Sequence, residues 1–259
     1  MLNATPFELV DAAAAGGFDM CGVRIVAPDP DQSVFDLVND HAMRRRFADY
    51  LVDSGVRLLD VEAVWIRENT DVATLAPALD AAADLGSQYV LTVGYDFHRP
   101  RLVDTLGRLA DAAADRGLLM PVEFITYSAI TSLADVVDVT AAVDRDNLRI
   151  LVDFLQFFRA GAEWDVLAGI AEAKLPYAQI CDGPLASPTT VDALRHEARS
   201  ARLIPGQGDL DLHRLIATLP SDIPLSIETP NLDLARLPFD EAARILREAT
   251  LRLLEPSPA

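Results

Sequence analysis

The feature that most constrains this chain is a rhythm. Short Val/Ile/Leu runs alternate with Ala- and Leu-rich helical stretches along its whole length. Repetition at about 30 residues is the pattern of successive βα units. The runs are continuously apolar rather than alternating, as parallel strands covered on both faces must be. Helix after helix stops on Gly just before the next run, at Gly16-Gly17, Gly55, Gly86 and Gly117. That is the turn chemistry of short connections from helix to strand.

Taken in order, the pattern predicts a stub strand at 1–4 and a helix at 6–15, opened by the Thr5-Pro6 pair. Strands follow at 19–26, 56–65, 88–95, 119–125, 148–155, 177–182 and 223–229. The helices between and after them are predicted at 36–54, 71–85, 99–116, 132–143, 163–173, 189–201 and 239–254, with a short extra helix at 211–218. Eight strands, each followed by a helix, predict a single-domain (β/α)8 TIM barrel over residues 1–259. The length of 259 residues suits that architecture. The competing arrangement is an open doubly wound sheet. Apart from the tail Pro256–Ala259, no linker or low-complexity segment divides the chain.

A hydrophobic fraction of 51% supplies a large core and argues against disorder. Lys and Arg number 22 against 40 acidic residues, for a net charge of −18. A nucleic-acid binder needs clustered basic residues, and only Arg44-Arg45-Arg46 form a run, beside several Asp. Cys21 and Cys181 sit in apolar runs and read as buried thiols. No apolar run reaches transmembrane length, and no leader pattern opens the chain. The expectation is a cytoplasmic protein that acts on a small molecule, without membrane or nucleic-acid partners, with a homo-oligomer allowed.

Active-site groups of such barrels sit where strands end and βα loops begin. Glu123 lies near the end of Leu118-Leu119-Met120-Pro121-Val122, and Asp153 ends Leu148-Arg149-Ile150-Leu151-Val152. Gln179 and Asp182 bracket Ile180-Cys181, and Glu228 ends Pro224-Leu225-Ser226-Ile227. A lone carboxylate at such a place is costly unless it is paired or bound to a cation. Each one alone would as readily pair with an Arg or Lys inside the barrel. Together, at equivalent strand ends, Glu123, Asp153, Gln179 and Glu228 form a candidate oxygen-ligand set for a divalent ion. Mn²⁺ or Mg²⁺ suit it first, with Zn²⁺ or Co²⁺ as further candidates.

These segments resemble the xylose-isomerase-like barrel superfamily, which includes sugar phosphate isomerases and epimerases and family 2 AP-endonuclease-like proteins. The resemblance is carried by Pro121-Val122-Glu123, Ile150-Leu151-Val152-Asp153, Tyr177-Ala178-Gln179-Ile180-Cys181-Asp182, Pro205-Gly206-Gln207-Gly208-Asp209 and Leu225-Ser226-Ile227-Glu228. Ala15-Gly16-Gly17-Phe18-Asp19 also fits. It implies metal ligation by Glu123, Asp153 and Glu228, with Gln179 where the superfamily usually has His. Certain 3-dehydroshikimate dehydratases are similar in carrying Gln there. Many members also place a His three residues after the ligand Asp, and here that position is Gln156. Dehydratases use that His as an acid/base, so its absence weighs against a copy of their mechanism. In the isomerases and epimerases two metal-bound Glu residues exchange a proton with the carbon beside a carbonyl, which would make Glu123 and Glu228 catalytic.

Several further residues are expected at the same mouth. Arg24 and Arg202 are candidate anion grips. Glu62, His98 and Gln156 are candidate substrate contacts, Trp65 a pocket wall, and Asp182 a support for a ligand or for Arg202. Gly206 and Gly208 are expected to shape their loop rather than bind phosphate. The expected function is a metal-dependent isomerase or epimerase of a small polyhydroxylated ketone. A dehydratase-type lyase and a non-catalytic ligand-binding barrel are the alternatives. An abasic-DNA endonuclease lacks its His-rich ligands and basic face here.

Overall fold

The computed structural model describes residues 1, 3–27 and 34–255. Along the chain run α1 Pro6–Gly16, β1 Met20–Arg24, α2 His41–Ser54, β2 Arg57–Ile66, α3 Ala76–Asp84, β3 Tyr89–Gly94, α4 Arg99–Ala114 and β4 Met120–Glu123. There follow α5 Leu133–Val143, β5 Leu148–Asp153, α6 Phe154–Arg159, α7 Trp164–Ala168, β6 Ala178–Ile180, α8 Val191–Ser200, α9 Leu212–Thr218, β7 Leu225–Ile227 and α10 Phe239–Leu254. The seven strands are all parallel and pair in sequence order, β1 through β7, to form a nearly closed barrel.

One predicted strand is missing. In place of a strand at 1–4, the Ala4 N–H donates to the Met1 carbonyl (3.2 Å) in a turn; Leu2 lies outside the described residues, as does the tail 256–259. No β7–β1 pairing occurs among the described residues. The helical layer closes over the seam because α1 packs on α10. Beneath them lies a cavity of about 960 Å³ between the two open edges, lined by Leu9, Phe18, Val23, Leu225 and Ile227, with Arg24, Glu62 and Glu228 on its polar side.

Other departures have local causes. The helix predicted from 36 begins at His41, because Asp36 Oδ1 accepts the backbone N–H groups of Val38 and Asn39 in a turn and Asp40 caps Met43. β5 ends at Asp153 because that side chain accepts the Gln156 N–H (2.8 Å) and starts α6 at once. The helix predicted at 163–173 stops at Ala168 and continues only as a tight turn at Glu172–Lys174. α1 opens with a full capping box between Thr5 and Glu8 and closes on Gly17 at φ 76°, a conformation that costs glycine little.

Two apolar layers hold the barrel. The larger lies between strands and helices, around Phe47, Leu102, Leu106, Val122, Ile150 and Phe154. The smaller fills the barrel interior with Leu59, Ala63, Leu91, Val93, Ile125, Leu151 and Tyr177. Among the described residues no helix is long and apolar enough to cross a membrane.

Candidate metal centre and barrel mouth

Parallel strands deliver their C-terminal residues to one end of the barrel, and three carboxylates meet there. Glu123 ends β4, Asp153 ends β5 and Glu228 follows β7; one oxygen of each lies within 4.8 Å of the others. Gln179 on β6 stands opposite Asp153 on one side and Ser226 on the other. Its Oε1 is buried with no hydrogen-bond partner. Glu228 Oε2 is likewise buried without a hydrogen bond, its neighbour Arg202 Nη2 standing 3.4 Å away. Bare buried oxygens next to a carboxylate cluster are unfavourable without a cation to share. The donor set is all oxygen, which fits a hard divalent ion.

Arg202 supplies part of the counter-charge. It is 3% exposed, follows α8, and donates from Nη1 to Asp153 Oδ2 (2.5 Å) and to the Glu228 carbonyl (3.2 Å). Nε donates to the Ala198 carbonyl (2.9 Å), and the Asn231 amide donates to the Arg202 carbonyl (2.9 Å). The expected internal Arg partner and the expected ligand cluster are therefore present together. Three carboxylates and one guanidinium leave two negative charges, the complement of one divalent ion. Burial pushes the Glu123 carboxyl well above its ordinary range, with Glu228 and Asp153 adding to the rise. Burial pushes Glu228 up to about 8 against the pull of Arg202, with Asp153 and Glu62 adding.

Other predicted residues fall into distinct places. Gln156 is buried, and its Oε1 accepts from the Thr126 N–H (3.2 Å), tying the loop after β4 to α6. Arg24 and Glu62 face each other across β1 and β2 at 3.8 Å, on the seam cavity that Glu228 also lines. His98 caps α4, Nδ1 accepting the Arg101 N–H (3.3 Å), on the rim of a cavity of about 410 Å³ shared with Asp96 and Arg101. Asp182 does not touch Arg202. It accepts backbone N–H groups of Gly206 (3.0 Å), Gly208 (2.8 Å) and Leu210 (3.3 Å), and so shapes the Pro-Gly-x-Gly loop. A Cβ on Gly208 would fall 2.4 Å from Asp182 Oδ1, so only glycine fits.

Two groupings escaped the sequence. Trp65, at the end of β2, stacks on Tyr95, which follows β3, with centroids 4.6 Å apart and planes 4° from parallel. Tyr95 sits one residue past Gly94, at the end of β3. Deeper in the barrel the Tyr177 hydroxyl donates to Asp60, which is 2% exposed. That pairing joins residues 117 apart in sequence, and nothing local announces it.

Asp60 carries a stability prediction. Burial, then Glu62, pushes its carboxyl up to about 8, partly opposed by the Tyr177 hydrogen bond. In the unfolded chain an Asp titrates near pH 4. Between those values the folded state keeps a proton that the unfolded state releases. The stability tied to this group is thus complete at low pH and is lost as pH rises toward 8. Asp60→Asn removes the charge and keeps an oxygen for Tyr177. Its advantage over the parent is expected to be small at about pH 4.5 and to reach a few kcal/mol, about 5–10 °C in Tm, by about pH 8.5. Melting curves across pH check it; a gap that stays constant would count against it.

The family model described as xylose isomerase-like TIM barrel matches residues 10–249. Two curated proteins are similar. One is a 3-dehydroshikimate dehydratase of Pseudomonas aeruginosa, 27% identical over 246 residues that cover 89% of this chain and 37% of that protein. The other is an inosose isomerase of Bacillus licheniformis, 27% identical over 158 residues that cover 59% of this chain and 54% of that protein. The chain thus spans little more than a third of the first and about half of the second. A solved structure of the IolI protein with a binding zinc atom superposes with a TM-score of 0.81 at 19% identity, over 97% of this chain and 94% of that one.

Proposed function

The chain belongs to the xylose isomerase-like TIM barrel family, and we propose that it is a divalent-metal-dependent isomerase or epimerase of a small hydroxylated ketone. The observation that carries this reading is the meeting of Glu123 and Glu228 with Asp153 within 4.8 Å, beside the bare Oε1 of Gln179. These four residues would hold the ion, Mn²⁺ or Mg²⁺ first, with Zn²⁺ or Co²⁺ as alternatives. When bound, it would polarise the substrate carbonyl and stabilise negative charge on that oxygen.

The protein's own groups then account for the proton. Glu123 and Glu228 come from β4 and β7, strands not adjacent in the barrel, so their carboxylates would approach a ketone bound at the mouth from different directions. One takes the proton from the carbon beside the carbonyl, and that C–H electron pair moves toward the carbonyl oxygen. The other delivers a proton to the neighbouring carbon or to the opposite face. Asp153, fixed by the Gln156 N–H and Arg202, is held too firmly to share that task.

A second reading is a dehydratase, favoured by Gln179 and by the similarity to the Pseudomonas aeruginosa enzyme. Against it stands Gln156, whose carboxamide is neither an acid nor a base near neutral pH and whose Oε1 accepts from the Thr126 N–H.

Metal titration followed by melting curves and calorimetry, with a panel of ketoses and cyclic hydroxyketones in deuterated water, tests the proposal. One ion per chain and metal-dependent entry of deuterium beside a carbonyl are expected, both reversed by a chelator. A metal-loaded protein that exchanges no proton on any panel member sinks the isomerase reading. A conjugated, ultraviolet-absorbing product would favour the lyase.

A further inference from the structure

The mouth carries a second grouping whose chemistry is opposite to that of the acidic triad. Trp65 and Tyr95 form a flat, half-buried wall, and Tyr127 stands in the loop after β4. Arg199 on α8 lies over the Trp65 ring at 5.7 Å, and Arg195, one turn earlier, over the Tyr127 ring at 5.5 Å. Arg67 lies over both Trp65 and Tyr95, at 5.3 and 5.7 Å. A guanidinium held over an aromatic face by cation–π attraction does not spend its N–H donors on that contact. Arg199 makes no ion pair among the described residues, and Arg195 only a loose one to Asp192 at 3.8 Å. The Tyr95 hydroxyl is buried without a hydrogen-bond partner.

These groups adjoin the triad. The Tyr95 and Tyr127 hydroxyls are raised mainly by burial, and both also feel Glu123 on one side and Arg199 on the other. In a chain of net charge −18, Arg195 and Arg199 are guanidiniums held over aromatic rings close to the carboxylate cluster. A net negative charge disfavours an anionic ligand unless local donors offset it.

We propose that Arg195 and Arg199, with the Tyr95 hydroxyl, form a docking subsite for a small oxyanion borne by the substrate, beside the Trp65–Tyr95 stack. The substrate class is thereby a ketone carrying a carboxylate or a phosphate ester rather than a neutral sugar. The assignment of that oxyanion to a substrate rests on the proton-transfer reading of the triad; the subsite itself does not.

The chain has two tryptophans, and Trp164 lies elsewhere, under Arg214. In the full chain carrying Trp164→Phe, Trp65 reports binding directly by fluorescence. The probes are 3-oxocyclohexanecarboxylate, its uncharged primary amide and inorganic phosphate. The carboxylate is expected to bind about tenfold more tightly than the amide, and added salt to shrink the difference. The double change Arg195→Gln with Arg199→Gln, at two exposed positions, is expected to reduce the preference to less than about twofold. Phosphate that competes better than the carboxylate identifies a phosphate ester as the source; poor competition identifies a carboxylate. Calorimetry on the parent chain gives the same comparison where the reporter variant does not fold. Equal binding of carboxylate and amide, or a preference that survives in the double variant, overturns the proposal. Glu228→Gln separates the two readings. A preference that persists there keeps the subsite even where the metal chemistry fails. A preference lost there, with both arginines intact, means that the triad's ion holds the anion, and overturns the subsite.

Discussion

Glu228→Gln is expected to lower kcat by about 10³-fold, in the range that general acid–base groups contribute, while the barrel stays folded. The change keeps an oxygen donor at the position and removes the ability to take or give a proton. Glu228 is a partly buried carboxylate raised to about 8, with its Oε2 facing Arg202 but making no hydrogen bond. An uncharged amide is therefore expected to leave Tm equal to or above the parent value without metal. Steady-state kinetics, deuterium exchange and a melting curve separate these effects. A variant that exchanges deuterium at the parent rate would remove Glu228 from the proton path. A variant that loses metal together with activity would make it a ligand first.

The second large effect is expected at Arg202. Arg202→Met keeps the length of the side chain and deletes the charge that Asp153 and Glu228 face at 2.5 and 3.4 Å. Removing one member of a buried ion pair typically costs about 3–5 kcal/mol, because the remaining charge has neither water nor partner. In a chain of this size that is about 10 °C in Tm. The loss is expected to be partly recovered by Mn²⁺ or Mg²⁺, since a cation then has more charge to neutralise and its binding stabilises the folded state by mass action. The metal-induced rise in Tm should accordingly be larger in the variant than in the parent. Equal rises would show that Arg202 and the ion do not answer the same carboxylates.

Much of this arrangement is legible in the sequence because barrel strands deliver their last residues to one end. Glu123 and Asp153 end apolar runs that become β4 and β5, and Glu228 directly follows β7. Gln179 needed only its place in an apolar run to be set beside Asp153. The rest depended on contacts that no spacing encodes. Asp182 looked like a partner for Arg202, but four backbone N–H groups from its own and the following loop claim its oxygens first. His98 stands at the mouth as its place after β3 suggests, and there its Nδ1 caps α4. Asp60 falls within the strand predicted at 56–65, and nothing in that strand points to its partner Tyr177, 117 residues away. The predicted strand at 1–4 drew on too few residues to outweigh the turn that Ala4 makes back to Met1.

The unpaired edges of β7 and β1 also make the ring mechanically uneven. Among the described residues β7 is stitched to the sheet along β6 alone, through Leu225, Ser226 and Ile227. Local opening favours the stave with the fewest bonds to break, and Glu228 sits at the tip of this one. An ion shared by Glu123, Asp153 and Glu228 would act as a clasp from that loose stave back to β4 and β5. Loading the ion would then tighten the ring and arm its proton carrier in the same step.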